Sequence, residues 1–238
     1  MTELLFRDDA YARECEANVV AINDRGGILL DRTVFYALSG GQAGDKGVLR
    51  TSAGVEVPIA LAVFDENKDV VHVPASGEGV PQQGEQVTVA LDWETRHAHM
   101  RMHTCMHLLC SLIPFPVTGG SISADGARLD FDIPEAILDK EVLSADLNAL
   151  IEADHPVSED WISDDELESN PDLVRTMAVK PPMGTGKVRL VKIGADGEVD
   201  FQPCGGTHVK STAEIGPVRV AKIEKKGKQN RRVRVAFA

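Results

Sequence analysis

"DWETRHAHMRMHTCMHLLCSLIPF" (residues 92–115) is where the chain changes texture. Ahead of it, over 16–91, short β-type runs are cut by turn signals. "EANVVAI" ends at "NDRGG" and "GILLDRTVFYA" at "LSGGQAGDKG"; "VEVPIALAVF", "DVVHV" and "EQVTVAL" follow. Many short strands with Gly and Pro punctuation predict a small barrel or curled sheet. From Asp92 onward the spacing is helical. Met102, Met106 and Leu109 with Cys110 supply an apolar side, and Pro114 and Pro116 end the helix. A β-type run, "ARLDFDI", comes next, then a second helix, "PEAILDKEVLSADLNALIEAD", with Pro134 suited to its first turn. "PMGTGKVRLVKI", "EVDFQPC" and "RRVRVAFA" read as strands. The fold class is α+β, with a boundary near residues 91–94. A small N-terminal β-barrel domain (1–92) precedes an α/β two-layer domain (93–238), with helices packed on a mainly antiparallel sheet.

The chain of 238 residues is ample for a buried core, and its 43% hydrophobic and 26% charged residues are ordinary for a soluble globular protein. No apolar run approaches the roughly 20 residues of a membrane span. "MTELLFRDDAYARE" has acids where a signal peptide has an apolar core, so a cytoplasmic location is expected. Cys15, Cys105, Cys110 and Cys204 do not make a disulfide framework in a chain of this length. The net charge of -12 argues against non-specific attraction of the whole surface to nucleic acid. The charge is uneven, however. Acids crowd 151–172, and bases crowd "KIEKKGKQNRRVRV" (222–235). Those bases can form one local phosphate-binding face, or a hairpin edge blunted by lysines.

His103 and His107 lie four apart, one helical turn, so both imidazoles point the same way. Such a pair alone is a weak metal signal. Zinc proteases place Glu directly after the first His as general base, and here that position is Thr104, which disfavours protease chemistry. "PCGGTHV" (203–209) adds a second pair, Cys204 and His208, at the end of a predicted strand. Gly205 and Gly206 offer a turn without steric cost. Together the pairs give one tetrahedral set of three imidazoles and a thiolate, a donor chemistry that favours Zn2+. His99 and Cys110 fall on the same helical stripe and remain competitors or outer partners; Cys105 and His97 face elsewhere. Four protein ligands make a closed shell, which is usually structural. Three neutral imidazoles and a thiolate leave a zinc site at net +1, able to attract an ester carbonyl or a hydroxide.

"HMRMHTCMHLL" with "VDFQPCGGTHV" resembles the metal-binding signature of the editing domain of alanyl-tRNA synthetase. "LLDRTVFYALSGGQAGDKG" (29–47) is similar to that family's glycine-rich stretch, and "RTMAVKPPMGTGKVRLV" (175–191) to its freestanding members. The paired motifs recur in threonyl-tRNA synthetase editing domains, and the GGQ stretch tilts the match to the alanine system. The resemblance, from about residue 15 onward, is to freestanding, medium-length alanyl-tRNA editing proteins of the AlaX type. It implies a barrel joined to an editing domain that hydrolyses, in trans, the ester of serine or glycine on tRNA(Ala). It places one Zn2+ on His103, His107, Cys204 and His208, and polar groups near the aminoacyl moiety at Thr33 and Gln42. Relatives commonly carry an acid where this chain has Leu38.

A plain apolar pocket separates alanine from serine by only about 100-fold, whereas a site that hydrogen-bonds the hydroxyl reaches roughly 10^4. Thr33 and Gln42 can supply such groups. Excluding alanine in favour of glycine needs steric closeness, which the Gly40-Gly41 backbone can provide. If the partner is tRNA, Lys225, Lys226, Lys228, Arg231 and Arg232 are its expected phosphate contacts. Asp200 is expected either to orient a zinc-bound histidine or to sit solvated at a strand end. No general base is evident. The alternatives are a zinc-stabilised tRNA- or RNA-binding module without chemistry, and a hydrolase of small esters or amides on the same scaffold.

Overall fold

The computed structural model describes residues 1–77, 79–133, 138–170, 173–174 and 186–238. The chain divides into two compact units, Met1–His97 and Ala98–Ala238.

The first unit holds β1 (Glu3–Leu4), β2 (Glu14–Ile22), β3 (Ile28–Leu30), β4 (Arg32–Thr33), β5 (Gly47–Thr51), β6 (Glu56–Phe64), β7 (Val70–Pro74) and β8 (Gln86–Leu91). Six of these close a barrel in the order β2-β3-β7-β6-β5-β8, every pairing antiparallel. Strand alternation fills it. Ala17 and Val19 of β2, Val57 and Ile59 of β6, and Val87 and Val89 of β8 meet Ile28, Leu30, Phe35 and Leu49 in one core. Closure leaves no barrel edge to pair with another chain. The expected barrel is present, but it includes β5, "GVLRT", which was not among the expected strands; its first residue, Gly47, ends the turn signal "LSGGQAGDKG". Gly47 belongs to the strand because a Cβ there would lie 2.2 Å from the Ala90 carbonyl oxygen of neighbouring β8. The run "GILLDRTVFYA" is strand only as far as Thr33; residues 34–37 are buried without strand pairing.

What holds 34–45 in place is an ion pair between Arg96 and Asp45, with side-chain exposures of 0% and 1%. Asp45 accepts from the Tyr36 N–H (2.6 Å) and from Arg96 Nε (2.9 Å), and Arg96 also donates to the carbonyls of Val34 (2.6 Å) and Ala10 (3.0 Å). Between them, Ser39 and Gln42 exchange backbone hydrogen bonds around Gly40 and Gly41, whose φ values are 56° and 87°. Two consecutive positive φ angles define a type I′ reversal, which glycine adopts without strain.

The division between the units falls within α1 (Trp93–Leu112). The rest of the second unit comprises β9 (Val117–Ser123), β10 (Gly126–Asp132), α2 (Lys140–Glu152), β11 (Val157–Ser163), α3 (Asp164–Ser169), β12 (Lys187–Ile193), β13 (Asp200–Pro203), β14 (Val218–Lys226) and β15 (Asn230–Phe237). They form antiparallel sheets of four strands (β14-β15-β10-β9) and three (β11-β12-β13). The α+β class holds. α1 differs from its expected one-sided pattern: residues 102–110 are buried all round, as in a core helix. α2 starts at Lys140, where the Asp139 carboxylate accepts from the N–H groups of Glu141 and Val142. The expected start at Pro134 lies outside the described residues, as does the PMGT segment (182–185) ahead of β12. Leu143, Leu147 and Ile151 bury one stripe of α2. Asn148 ties the helix to β14 by bonding both the N–H (3.0 Å) and the C=O (2.8 Å) of Val218.

Candidate metal centre

Two segments build the centre. α1 carries His103 and His107 on one face, a turn apart. The second segment starts on β13, where Asp200 and Gln202, two residues apart, share one buried face. Beyond β13, the Cys204 N–H still reaches back to the Arg189 carbonyl of β12 (3.1 Å), so the thiol leaves the sheet at a fixed point. The chain then turns and His208 comes back beside the sulfur. Arg189, buried in β12, donates to the carbonyls of both Cys204 (2.8 Å) and Gly206 (2.9 Å) and pairs with Glu159 of β11. The Gly206 N–H points at the Cys204 sulfur (3.4 Å). Glycine freedom at 205 is not what turns the chain, contrary to expectation. Gly205 has no left-handed φ, and a Cβ there would meet nothing within 4 Å. Arg189 takes that part.

The donor atoms of His103, His107, Cys204 and His208 all lie within 4.8 Å of one another. Cys204 Sγ is 3.3 Å from His208 Nε2 and 3.5 Å from His103 Nε2. A zinc tetrahedron of these ligand types has edges of about 3.3–3.7 Å. Three nitrogens and one sulfur so placed can hold a metal ion. His99 and Cys110, the competitors on the helical stripe, are buried but lie outside this group. Cys105 is also buried, and burial pushes its thiol up to about 12.

Behind the ligands are partners that aim them. His107 Nδ1 lies 2.7 Å from Asp200 Oδ2, and that oxygen also accepts from Gln202 Nε2 at 2.8 Å. His208 Nδ1 lies 3.1 Å from the hydroxyl of Thr104. The electrostatics fit a cation site. Burial raises the Cys204 pKa, but the imidazoles of His103 and His208 outweigh it and bring the thiol well below its ordinary value. Burial lowers the pKa of His107, yet hydrogen bonds to Asp200 and Cys204 lift it to about 10. The groups that would favour a proton on that ring also raise its basicity as a ligand. Asp200 is therefore a buried partner of His107, not a solvated strand end. The pattern alone marked neither Thr104 nor Arg189. For Arg189 the available signal was a lone cation within the apolar run "VRLV".

The remaining expected residues are dispersed by environment. In the first unit Thr33 is fully buried. Its hydroxyl lies 2.8 Å from His72 Nε2 and accepts the Phe35 N–H at 3.0 Å. Gln42 is buried, whereas Gly40 and Gly41 are exposed at the tip of the reversal. Leu38 has an exposed side chain. In the second unit Lys225, Lys226 and Lys228 are exposed on the β14–β15 hairpin, and Arg231 and Arg232 are half-buried. Arg232 is committed to Asp130 by two bonds of 2.7 and 2.8 Å. No described helix is long and apolar enough to cross a membrane.

The pattern described as "Threonyl and Alanyl tRNA synthetase second additional domain" matches residues 188–234, a span that includes Cys204 and His208. "tRNA synthetases class II (A)" matches residues 8–95. Among individual proteins, the chain is 35% identical to "Alanyl-tRNA editing protein AlaX-M" of Methanosarcina acetivorans, covering 98% of both chains. It is 38% identical to the protein of that name in Methanosarcina barkeri, again over 98% of both. It is also 36% identical to the "Alanine--tRNA ligase" of Pyrobaculum calidifontis, across 94% of this chain and 25% of that one. With both metal-ligand pairs placed together and likeness of this extent along its whole length, the chain belongs to the AlaX family of alanyl-tRNA editing proteins.

Proposed function

We propose that the protein is a trans-editing hydrolase that removes serine, glycine or both from mischarged tRNA(Ala), with one Zn2+ held by His103, His107, Cys204 and His208. The observation that carries this reading is the convergence of those four donors within 4.8 Å in a chain of the alanyl-tRNA editing family. An editing protein of this kind is an aminoacyl-tRNA deacylase, acting in the cytoplasm where charged tRNA is used. Bound zinc would supply positive charge for the ester carbonyl or for an oxygen nucleophile. The chain's own residues orient that charge: Asp200 and Gln202 behind His107, and Arg189 behind the Cys204 loop.

The division of labour follows the sequence boundary. Residues 93–238 form the editing domain, and residues 1–92 contribute the glycine-rich reversal. Gly40 and Gly41 present backbone groups with no side chain in the way, suited to close approach of the aminoacyl end. Thr33 and Gln42, both buried, act from behind by fixing the segment on either side of that reversal. On the β14–β15 hairpin Lys225, Lys226, Lys228 and Arg231 contact tRNA phosphates, while Arg232, expected among them, is taken up by Asp130.

A second reading has one observation in its favour: four protein donors fill a tetrahedron, the arrangement of structural zinc. On that reading the protein binds tRNA without chemistry. Incubation with Ser-tRNA(Ala) separates the two. Editing predicts serine release far above the spontaneous rate, with Ala-tRNA(Ala) spared. Release no faster than the blank would leave only the binding module.

A further inference from the structure

In the sequence Thr104 stands where zinc proteases carry their catalytic glutamate, directly after the first histidine. The structure gives it a different task. Thr104 is fully buried in α1, and its hydroxyl has three neighbours. These are the Met100 carbonyl at 3.0 Å, His208 Nδ1 at 3.1 Å and the Val209 N–H at 3.3 Å. Their chemistry fixes the direction of each bond. A carbonyl only accepts, so the single hydroxyl proton goes to Met100. A backbone N–H only donates, so Val209 uses one lone pair of the oxygen. The second lone pair faces His208, whose Nδ1 must then carry the proton and donate it. Nε2 is left unprotonated, 3.3 Å from the Cys204 sulfur, facing the cluster.

We infer that Thr104 is a positioning residue for the metal centre. Its hydroxyl holds His208 as the Nδ1–H tautomer, with the Nε2 lone pair ready for the ion. The inference rests on the zinc reading proposed above and adds to it the residue that aims its fourth ligand. It also accounts for a neutral hydroxyl at a position where a carboxylate serves other zinc sites. Asp200 already places one negative charge behind His107. A second carboxylate against the buried edge of His208 would add an ion to a site of low polarity.

The test is zinc affinity of the full-length protein by competition with a chromophoric chelator, for wild type, Thr104→Val and Thr104→Ser. Thr104→Val keeps the shape and removes the hydroxyl; Thr104→Ser keeps the hydroxyl. Thr104→Val should bind zinc about 10- to 100-fold more weakly, and Thr104→Ser within about 3-fold of wild type. Long-range 1H–15N spectra of the zinc-loaded proteins should show His208 protonated at Nδ1 in wild type and Thr104→Ser. A structural role alone would lower the melting temperature of the metal-free Val variant and leave affinity unchanged, which overturns the inference. Equal losses in Ser and Val variants overturn it too. A wild-type chain that takes up no zinc defeats the zinc reading and this inference with it. The predicted affinity order in a protein that fails to deacylate Ser-tRNA(Ala) leaves the inference standing and removes only the editing reading.

Discussion

His107 Nδ1 and Asp200 Oδ2 lie 2.7 Å apart, both side chains buried, and this contact changes the charge of the centre. With zinc bound as proposed, three imidazoles and a thiolate would leave +1, and the Asp200 carboxylate would make the buried group as a whole neutral. A neutral centre is cheaper to bury and holds its ion more tightly. Asp200→Ala should cost about 10- to 100-fold in zinc affinity. Asp200→Asn, which keeps an acceptor for Nδ1 but not the charge, should cost less. Chelator competition on the two variants measures both. Equal affinity in Asp200→Ala and wild type would remove Asp200 from the centre.

His72 supplies a pH dependence of folding in the first unit. Burial pushes its pKa down to about 4, only partly offset by its bond to the Ile28 carbonyl. An unfolded chain protonates this ring below about pH 6.5, while the folded chain keeps it neutral. The unfolded state therefore binds more protons in that window. The contribution is fully present above pH 6.5 and is lost as pH falls towards 4, by roughly 3 kcal/mol at most. Urea denaturation from pH 4 to 7 should give a shallower pH slope for His72→Gln than for wild type. Identical slopes would mean that His72 titrates normally in the folded protein.

The Arg96–Asp45 pair makes a prediction about stability. Both groups are buried and hydrogen-bonded, so deleting one leaves the other charged and unpaired. Asp45→Ala should destabilise by about 3–5 kcal/mol, whereas the double replacement Asp45→Leu with Arg96→Met should cost less than the single change. Denaturant midpoints decide it. A double variant that loses the sum of the two single losses would contradict the pairing.

On the β14–β15 hairpin, not all cations are equally available to tRNA. Glu224 is held at about 2, chiefly by its bond to Arg234 and then by Lys222 and Lys226, so it stays charged among them. Asp130 occupies Arg232 in the same way. Lys225 and Lys228 are exposed and have no ion-pair partner among the described residues. Lys225→Ala and Lys228→Ala should each lower the salt dependence of tRNA binding by just under one ion. Arg232→Ala should mainly lower stability, by leaving Asp130 with Arg128 as its one remaining arginine partner among the described residues. Filter binding across a salt series reads the first effect and thermal melting the second.

Much of this was legible from residue pattern, and the losses have physical causes. Strands β2, β6, β7 and β8 showed themselves through apolar runs between turn residues. β5 did not, because its glycine is needed for close strand approach and reads locally as a turn. β11 and α3 lay in the acidic stretch: "VSEDWIS" is a sheet-edge strand with four consecutive exposed residues, Ser158, Glu159, Asp160 and Trp161, so its apolar period is weak. The four metal donors were legible because helix and loop spacing put each pair in register. The residues that aim them were not. Thr104, Gln202 and Arg189 act across distances of 15 to 104 positions in sequence, set by tertiary packing alone.

Zinc binding and editing should be one activity of this protein. The direct measurement is to strip the metal, add Zn2+ back in fractions of an equivalent, and follow Ser-tRNA(Ala) deacylation on the same sample. Activity should be absent in the stripped, folded protein, rise with added zinc and level off at one ion per chain, with Ala-tRNA(Ala) spared throughout. Full deacylation by metal-free protein, or none at one equivalent of bound zinc, would contradict it.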